Sequence, residues 1–443
     1  MARPLRICFV AYRGNMRCGG QGVYLWFLAR ELARLGHSVD IFVGPPYPDP
    51  MPFAQSVTGL PNEQFWAGWF SKERSELLPR EQPLRVFEPL NFYELAASYM
   101  GFLPEPFAFS LRAFRALAAR LRAGARWDVV HDVQCLGWGT LGIRGLGLPV
   151  VTTIHHPLTV DRRASFVRDH TLREAIGTMT FYPIGMQSFV ARRIERVFTS
   201  SRASAREIMR DFGVPEERLC MVANGVDTDL FRPDPAVVRS DDEILCLGRA
   251  SDPNKGVKTL IEALALLPRS VRLTLVDNDH PDSTARKRAR ELGCAERMQI
   301  TGSVSNEELI QLYRRAALVV VPSRYEGFGL PAAEAMACGT PVVATAAGAL
   351  PEVMRTAGGG VLVKRDDPAA LAKGIAGLLE QPSARAELGE RGHRGVAAAY
   401  AWPRVAQATA AVYAEAIAER RGRPASTTTS ASEGMRRASQ SSP

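Results

Sequence analysis

Two glutamates eight residues apart, Glu326 and Glu334, stand in the stretch RYEGFGLPAAEAMACGTPV, whose other residues are mostly apolar or small. Glu326 lies in a glycine-rich turn. Pro331 follows this turn and is favoured at the first position of a helix, where its missing N–H is not needed, so Glu334 lies about one turn inside that helix. Because carboxylates accept hydrogen bonds from paired hydroxyls, the spacing favours a ligand with a ribose or a hexose.

The turn between the two glutamates has the character of an anion site. A helix N-terminus offers unpaired main-chain N–H groups and the positive end of the helix dipole. Gly327 and Gly329 would let a ligand come close to the backbone. This segment suits a ligand with hydroxyl-bearing groups at both ends and phosphate in the middle. The alternative is a capped helix with two solvated glutamates, and the segment taken alone leaves both open.

The pattern of strands and helices along the chain indicates two parallel sheets. At the start, the apolar run LRICFVAY reads as a buried strand, and the glycine cluster CGGQG follows it. The segment VYLWFLARELARLGH then reads as a helix, and SVDIFVG as the next strand. Strand, glycine turn, helix and strand in this order begin a parallel sheet. A second alternating series starts near residue 219, so we predict two successive α/β units with a ligand cleft between them.

Three stretches depart from this alternation. Residues 44–82, which are rich in proline and aromatic residues, are interpreted as a long functional loop or lid. The late helix WPRVAQATAAVYAEAIAERR has an apolar face of Val405, Ala408, Val412 and Ala416, which we expect to pack on the body of the protein. The C-terminal tail of the chain, residues 421–443, is rich in Ser, Thr and Arg and is predicted to be disordered.

The composition narrows the class of protein. A chain of 443 residues with 46% hydrophobic and 23% charged residues is typical of a globular protein of more than one domain. A net charge of +9 permits anionic ligands and anionic membrane surfaces, but it is too mild to argue for nucleic acid, and we expect no nucleic-acid partner.

The cysteine pattern and the hydropathy of the chain indicate the cellular compartment of the protein. Its seven cysteines form no CxxC pair, which argues against a disulfide framework or a zinc site and fits the reducing cytoplasm. The first apolar run is too short for the core of a signal peptide. Since no run of 18 apolar residues occurs, we expect no transmembrane helix.

Several motifs in a fixed order resemble one enzyme family. The line LYRRAALVVVPSRYEGFGLPAAEAMACGTPVVATAAGALPEV closely resembles the signature of the family-4 retaining glycosyltransferases, which have the GT-B fold and the hallmark E-x7-E. LGRASDPNKG is similar to their phosphate-binding Arg…Lys-Gly element, and ANGVDTDLF to the element at the domain crossover. GGQGVYLWFLARELARLGHSV resembles their N-terminal glycine loop, and VVTTIHH the strand that ends in a donor-site histidine. The likeness covers most of residues 5–400.

The resemblance implies a fold, a division into domains and a set of site residues. The fold is GT-B, with two Rossmann-like parallel-sheet domains facing each other across a cleft. Residues 1–218 would form an N-terminal acceptor-side domain, and residues 219–398 a C-terminal domain that binds the nucleotide sugar. Residues 399–420 would form a helix that crosses back to the first domain, and residues 421–443 the tail. The implied catalytic residues are Glu326, His155, Lys255 and Arg249. The residues implied to bind the donor are Gly19, Gly20, Arg249, Lys255, Gly327, Phe328, Gly329, Leu330 and Glu334.

Each implied role has a chemical sense. Arg249 and Lys255 would bind the diphosphate through charge-assisted hydrogen bonds, and Glu334 would hold the ribose hydroxyls. Glu326 would contact the donor sugar near the reaction centre. Main-chain N–H groups at Gly19 and Gly20 would reach the phosphate from the facing domain. His155 would contact the donor sugar from that domain, and its neighbour His156 remains an alternative.

The implied activity is transfer of a hexose-type sugar, with retention, from a nucleotide diphosphate sugar to an acceptor hydroxyl. The acceptor class is open: a glycan, a lipid-linked sugar or a small molecule. No metal or other cofactor is expected, because cationic side chains and a helix N-terminus would stabilise the leaving diphosphate. The alternatives are a nucleotide-sugar epimerase of the same fold and a non-catalytic binder of sugar nucleotides. Neither the base nor the sugar follows from the residues.

Three other features have a less specific interpretation. The D-x-D patterns at Asp227–Asp229 and Asp277–Asp279 resemble metal-binding pairs of GT-A enzymes, but aspartate also favours turns, and we prefer the turn. The loop GGQG lacks the G-x-G-x-x-G of a dinucleotide site. Residues 109–127 contain five arginines and no acidic residue, and Leu111, Phe114, Ala118 and Leu121 can form one apolar face of a helix. We favour a helix with an arginine-rich solvent face there, over a helix that docks peripherally on the inner face of an anionic membrane.

Overall fold

Two all-parallel sheets, each with a hydrophobic core on either side, form the fold. A computed structural model of the protein describes residues 3–16, 20–61, 83–166, 171, 177–179, 181–278, 280 and 283–422. The N-terminal sheet has seven strands and the C-terminal sheet has six, so the predicted α/β class with two parallel sheets is confirmed.

The N-terminal sheet has the order β3-β2-β1-β4-β5-β6-β7. Its strands are β1 Arg6–Ala11, β2 Ser38–Val43, β3 Ser56–Gly59, β4 Val129–Val133, β5 Val150–Thr153, β6 Arg196–Thr199 and β7 Leu219–Met221. The α-helices in this part are α1 Gly20–Arg34, α2 Pro89–Tyr99, α3 Glu105–Arg122, α4 Trp138–Gly145, α5 Leu158–Phe166, α6 Ile184–Ala191 and α7 Arg202–Phe212. Short 3-10 helices lie at Pro83–Phe87 and Glu216–Arg218.

The C-terminal sheet has the order β10-β9-β8-β11-β12-β13. Its strands are β8 Glu243–Leu247, β9 Arg272–Val276, β10 Met298–Ile300, β11 Leu318–Val321, β12 Val342–Thr345 and β13 Gly360–Val363. The α-helices are α8 Val257–Leu266, α9 Thr284–Glu291, α10 Asn306–Arg315, α11 Leu330–Ala337, α12 Leu350–Ala357, α13 Pro368–Leu379, α14 Pro382–Tyr400 and α15 Trp402–Arg420. Short 3-10 helices lie at Pro253–Lys255 and Ala295–Arg297.

Alternation along the central strands explains the two cores of each sheet. In β1, Ile7 and Phe9 belong to one buried cluster, while Cys8 and Val10 belong to the cluster on the opposite face. Because both faces are covered, the strands read as continuous apolar runs instead of alternating with polar residues. The strand order reverses between β1 and β4 and again between β8 and β11. Such switch points, at the carboxyl ends of the strands, are where α/β folds bind ligands.

One part of the predicted loop at residues 44–82 is a strand. β3 pairs in parallel with β2, with Val43 opposite Gly59, so the loop prediction was wrong for residues 56–59. The strand is short, half exposed and at the edge of the sheet, and its residues therefore give little apolar signal. Residues 62–82 of the predicted loop lie outside the described residues, and so do residues 423–443 of the predicted tail.

The last helix, α15, packs on the N-terminal sheet. The hydroxyl of Tyr413 lies 2.5 Å from Nδ1 of His131 in β4, and Trp402 stacks on Phe27 of α1 with ring centroids 5.6 Å apart. Of the face expected for this helix, Val405 is buried, as is Ala416, but Ala408 and Val412 are only partly buried. The buried face is centred on Trp402, Thr409 and Tyr413.

The arginine-rich segment forms α3, and its buried face differs from the expected one. Phe109, Ala113 and Leu117 are buried, whereas the expected set Leu111, Phe114, Ala118 and Leu121 is only partly buried. No helix among the described residues has the length and apolar character needed to cross a bilayer.

Candidate active site

Lys255 and Glu326 form the centre of the candidate site, at the switch point of the C-terminal sheet. Nζ of Lys255 donates a hydrogen bond to Oε1 of Glu326 at 2.8 Å, and Oγ of Ser323 donates to the same oxygen at 2.8 Å. Glu326 is only 9% exposed. Two donors on one oxygen leave the second carboxylate oxygen, for which no contact occurs among the described residues, to accept from a ligand.

The local sequence explains why Lys255 reaches this position. The side chain of Asp252 accepts from the N–H of Asn254 and begins a 3-10 turn that ends at Lys255. Gly256 then has φ +62°, and a Cβ at this position would lie 1.9 Å from the carbonyl oxygen of Pro322. Only glycine therefore allows the turn to lie against the end of β11, beside Glu326.

Burial and the neighbouring carboxylate act in opposite directions on Lys255. Burial lowers the pKa of Lys255, but the charge of Glu326 and its hydrogen bond outweigh this effect, so that the pKa is raised above its usual value. Lys255 is consequently a cation at neutral pH. A cation at this point can meet the phosphate of a ligand.

Glu334 lies one turn inside α11, as the position of Pro331 predicts. The hydroxyl of Tyr313 donates to its Oε2 at 2.8 Å. Burial raises the pKa of Glu334 to about 7, although the hydrogen bond from Tyr313 acts in the opposite direction. This carboxyl group is therefore near the midpoint of its titration at neutral pH.

The glycine-rich turn leads into the N-terminus of α11. Gly329 precedes the helix with φ +96°, and within the described residues the main-chain N–H groups of Phe328, Gly329 and Leu330 have no partner. Such groups can bind an anion. The ring of Phe328 is buried and lies 5.2 Å from that of Tyr400, so only its main chain can meet a ligand. The carbonyl of Gly327 accepts hydrogen bonds from serines of the N-terminal half.

Arg249 follows β8 and is exposed, and its guanidinium has no partner in the described part of the chain. The loop that carries it is fixed by Asp277, whose carboxylate accepts from the N–H of Ala250 at 2.8 Å. Asp277 thus has a structural role in this turn. Its D-x-D partner, Asp279, lies outside the described residues.

The other D-x-D pattern forms a turn. The carboxylate of Asp227 accepts from the N–H groups of Asp229 and Leu230, and it forms an ion pair with Arg30 at 3.0 Å. Among the described residues, no group of three or more His, Cys, Asp or Glu side chains is placed to hold a metal ion.

His155 faces the site from the end of β5. Its main-chain N–H donates to Oε1 of Gln134 at 2.9 Å. Its ring and the ring of Tyr24 pack edge to face, with centroids 4.9 Å apart. Burial, and then the charge of His156, lower the pKa of His155 to about 3, so its ring is neutral. Nε2 of His155 is buried without a hydrogen-bond partner among the described residues, a state that a ligand hydroxyl would relieve.

The remaining predicted residues of the N-terminal half are less informative. Gly20 opens α1 and is exposed, with nothing within 4 Å of a Cβ placed on it, whereas Gly19 lies outside the described residues. The alternative histidine, His156, is partly buried, and its carbonyl accepts from Nε2 of Gln134. The unpartnered Nε2 favours His155 over His156 as the ligand contact.

Three contributing residues are absent from the sequence prediction: Gln134, Ser323 and Tyr313. Gln134 has φ +56° directly after β4 and bonds to both histidine backbones. A polar residue at the carboxyl end of a predicted strand was the available signal. Ser323 stands three residues before Glu326, but Tyr313 contacts Glu334 across a whole strand and turn, which no local pattern shows.

Comparison with known proteins decides the family. The model for "Glycosyltransferase Family 4" matches residues 18–230, and the model for "Glycosyl transferases group 1" matches residues 227–395. An MMP alpha-(1->4)-mannosyltransferase from Mycolicibacterium hassiacum is 40% identical over 94% of this chain and 99% of its own length. This chain belongs to glycosyltransferase family 4.

Further similarities of this family-4 glycosyltransferase agree with the assignment. A D-inositol 3-phosphate glycosyltransferase from Catenulispora acidiphila is 31% identical over 94% of this chain and 95% of its own length. The structure of Anabaena HepE in complex with UDP and glucose superimposes with a TM-score of 0.67 at 18% identity, over 93% of this chain and all of that one. The predicted GT-B fold and the family resemblance are thereby confirmed.

Proposed function

We propose that this glycosyltransferase moves a hexose, with mannose as the first candidate, from a nucleotide diphosphate sugar to an acceptor hydroxyl. The observation that carries the proposal is the Lys255–Glu326 pair beside the three unpartnered N–H groups at the start of α11. A cation and free amides suit a diphosphate, and a carboxylate between them suits the sugar joined to it. Mannose is preferred because the relative of 40% identity is named as a mannosyltransferase.

Each group has a task in the proposed reaction. Lys255, the exposed Arg249 and the amides before α11 stabilise the negative charge that grows on the leaving diphosphate. Glu334 accepts from the ribose hydroxyls. Glu326 accepts from the sugar and balances positive character on its ring, while Nε2 of His155 binds a sugar hydroxyl from the other side.

The bond changes require no further protein base. The acceptor oxygen bonds to the anomeric carbon as the bond from that carbon to the phosphate oxygen breaks, and the acceptor proton passes to the departing phosphate. Attack on the face that the phosphate leaves retains the anomeric configuration. An α-linked product, as in the name of the mannosyltransferase relative, forms with retention when the donor is also α-linked.

The deciding experiment combines binding and product analysis. A thermal-shift screen over nucleotide diphosphates and their mannose and glucose derivatives identifies the donor, because a ligand that binds only the folded state raises its melting temperature. The best donor is then incubated with mannose oligosaccharides and inositol phosphate, and products are weighed by mass spectrometry. A new hexosylated product supports the proposal. A changed sugar nucleotide without transfer would indicate an epimerase, and binding without any turnover would indicate a binder.

We also propose that the enzyme is cytoplasmic and that, contrary to the preference drawn from the arginine-rich segment alone, it touches an anionic membrane peripherally. Six of the exposed large apolar side chains lie close together in the chain, on and around α2: Leu84, Phe87, Phe92, Tyr99, Met100 and Phe102. The neighbouring α3 exposes Arg115, Arg120 and Arg122. Apolar side chains beside arginines favour an anionic lipid surface. Co-sedimentation with phosphatidylglycerol vesicles, but not with phosphatidylcholine vesicles, is expected, and a double variant Phe92→Ser/Tyr99→Ser should weaken it.

A further inference from the structure

The N-terminus of α7 lies against the C-terminal half of the protein. The N–H groups of Arg202 and Ala203 donate to the two carboxylate oxygens of Glu352 in α12, at 2.9 Å each. The first N–H groups of a helix have no partner within the helix, and a carboxylate there also meets the positive end of the helix dipole. Glu352 therefore forms two charge-assisted hydrogen bonds across the boundary between the two sheets.

The same helix end binds the main chain next to Glu326. The carbonyl oxygen of Gly327 lies within hydrogen-bond distance of three hydroxyls, at 2.8 Å from Ser201 and 3.1 Å from both Ser200 and Ser204. A carbonyl has two lone pairs, so the three hydroxyls share it. A Cβ on Gly327 would lie 3.0 Å from the carbonyl oxygen of His155, which leaves little space between these two segments.

Ser204 also reaches the histidine. Its Oγ lies 3.1 Å from the carbonyl of His155, the same distance as from the carbonyl of Gly327. Since a hydroxyl has one proton, Ser204 bridges the two carbonyls by donating to either one. One helix terminus consequently contacts the segments that carry both proposed sugar-binding side chains, one from each half of the protein.

Glu352 is connected to Glu326 within the C-terminal half. The N–H of Ala349, just before α12, donates to the main-chain oxygen of Glu326 at 2.9 Å. Gly348 packs against the same oxygen, which would lie 2.2 Å from a Cβ at that position. The start of α12 and the Glu326 turn therefore move together, and the contact of Glu352 with α7 restrains both.

We propose that the N-terminus of α7, Glu352 and the carbonyl of Gly327 form an interdomain latch that holds Glu326 opposite His155. Glu352 and Ser204 are positioning residues in this proposal, and neither touches the substrate. The inference rests on the proposed function for its effect on turnover, but the latch itself is a matter of contacts. Of the groups proposed to bind the nucleotide, Arg249, Lys255 and Glu334 have side chains in the C-terminal half that do not contact α7, whereas the N–H of Phe328 belongs to the same peptide group as the carbonyl of Gly327.

The first test compares Glu352→Ala and Glu352→Gln with Glu387→Ala, a matched loss of charge at an exposed residue of the same half. Glu352→Ala should lower kcat by about 10- to 100-fold, since small misplacements of reacting groups have effects of this size. The Kd for the bare nucleoside diphosphate should change much less than kcat, by no more than about 5-fold, because Arg249, Lys255 and Glu334 keep their contacts and only the N–H of Phe328 shares a peptide group with the latch. Glu352→Gln keeps one acceptor oxygen and should recover part of kcat. Equal losses in kcat and nucleotide affinity, without recovery by glutamine, would overturn the proposal.

A second test asks whether Ser204 and Glu352 act together. In the double variant Ser204→Ala/Glu352→Ala, the loss in kcat should be smaller than the product of the two single losses, because either change already opens the latch. In the control double variant Ser204→Ala/Glu387→Ala, the loss in kcat should equal the product of the two single losses. Multiplicative losses in both pairs would mean that Ser204 and Glu352 are independent, and the latch would be rejected.

A third measurement needs no activity and separates the latch from the proposed function. Amide hydrogen exchange of the peptide that contains Arg202 and Ala203 should be slow in the unaltered protein and faster in Glu352→Ala, while Glu387→Ala leaves it unchanged. If exchange responds in this way but no donor is turned over, the latch stands and the proposed reaction is wrong. Unchanged exchange in Glu352→Ala would rule out the latch whatever the reaction is.

Discussion

Lys255 and Glu326 are hydrogen-bonded to each other, yet their loss should affect different parameters. Lys255→Ala should weaken binding of both the bare nucleoside diphosphate and the sugar donor by about 10- to 150-fold, the effect of one lost charge-assisted contact. Glu326→Gln should leave the diphosphate affinity nearly intact and lower kcat by orders of magnitude, because charge is removed where the sugar becomes positive. Titration calorimetry with the diphosphate and steady-state kinetics measure the two effects.

The control for this pair is Lys258→Ala, which removes an exposed charge three residues beyond Lys255 and should change neither parameter. The roles are misassigned if Glu326→Gln abolishes diphosphate binding while saturating donor is still turned over. That outcome would suggest that Glu326 and Glu334 have exchanged roles.

The titration of Glu334 gives a pH-dependent prediction. Its pKa is raised to about 7 by burial, so this carboxyl group titrates in the neutral pH range. Ribose hydroxyls are bound better by the ionised form, and nucleoside diphosphate affinity should therefore rise as the pH increases from about 6 to 8. Binding near pH 7 should release protons, which calorimetry in buffers of different ionisation enthalpy detects.

The terminal phosphate of the ligand titrates in the same range, so the comparison with Glu334→Gln is essential. The part of the pH dependence that disappears in this variant belongs to Glu334. If the wild-type and Glu334→Gln profiles are parallel over this range, Glu334 does not titrate on binding and its proposed contact with the ribose is wrong.

Among the elements, the turn at Pro253–Lys255 has the most demanding geometry. In Gly256→Ala, the added Cβ would lie 1.9 Å from the oxygen of Pro322, and alanine at φ +62° is itself strained by about 1–2 kcal/mol. The free energy of unfolding should fall by more than about 2 kcal/mol, and the turn should move Lys255 away from Glu326. Diphosphate affinity should then fall about as far as in Lys255→Ala.

Gly377→Ala is the matched control. This glycine lies inside α13 with nothing within 4 Å of a Cβ, so alanine should stabilise the protein slightly, by about 0.5–1 kcal/mol. Urea denaturation and calorimetry of both variants check the pair. A Gly256→Ala protein with unchanged stability and affinity would show that this turn does not position Lys255.

The contrast between β3 and α11 shows which elements the sequence predicts. Pro331 and the flanking glycines carry a local signal, so the start of α11 and the position of Glu334 one turn inside it could be predicted from spacing alone, whereas the burial of Glu334 could not. β3 has only four residues at a sheet edge, and its half-exposed side chains give no periodic signal. In α15, counting apolar residues missed Tyr413, whose hydroxyl is buried because it meets His131 of another element.

The candidate site divides in the same way. Charged residues in the family motifs, such as Lys255 and Glu326, could be predicted as site residues from the sequence, and the structure brings these two together. Gln134 and Tyr313 could not be named, because their roles depend on contacts between strands and helices that are distant in the chain. The serines around Gly327 likewise acquire a role only where the two halves of the protein meet.

In the whole molecule, contacts between the two halves converge on the candidate site. The chain leaves the N-terminal sheet before β8 and returns through α15, where Trp402 stacks on Phe27 and approaches Tyr24. Tyr24 in turn meets the ring of His155. The returning helix therefore packs on Tyr24, which contacts His155, so the two halves of the protein are joined at α15 as well as at α7.

The groups proposed to bind the leaving diphosphate are cationic or are main-chain N–H donors. We therefore predict that the reaction needs no metal ion. Lys255 is cationic, and in the part of the chain that the structure describes Arg249 has no partner and the main-chain N–H groups before α11 are free. Of the three described aspartates of the D-x-D patterns, Asp227 and Asp277 accept from main-chain N–H groups, and Asp229 is exposed.

Turnover should consequently persist in excess EDTA, with kcat and KM within about 2-fold of their values in Mg²⁺, since the charge stabilisation that a cation supplies elsewhere comes here from side chains and amides. Initial rates with and without chelator measure the metal dependence. As a positive control for chelation, a metal-dependent transferase must lose its activity under the same conditions. Loss of activity in EDTA that Mn²⁺ restores would mean that these groups do not replace a cation. Asp277→Asn would then be the first variant to measure, because its carboxylate lies next to the loop that carries Arg249.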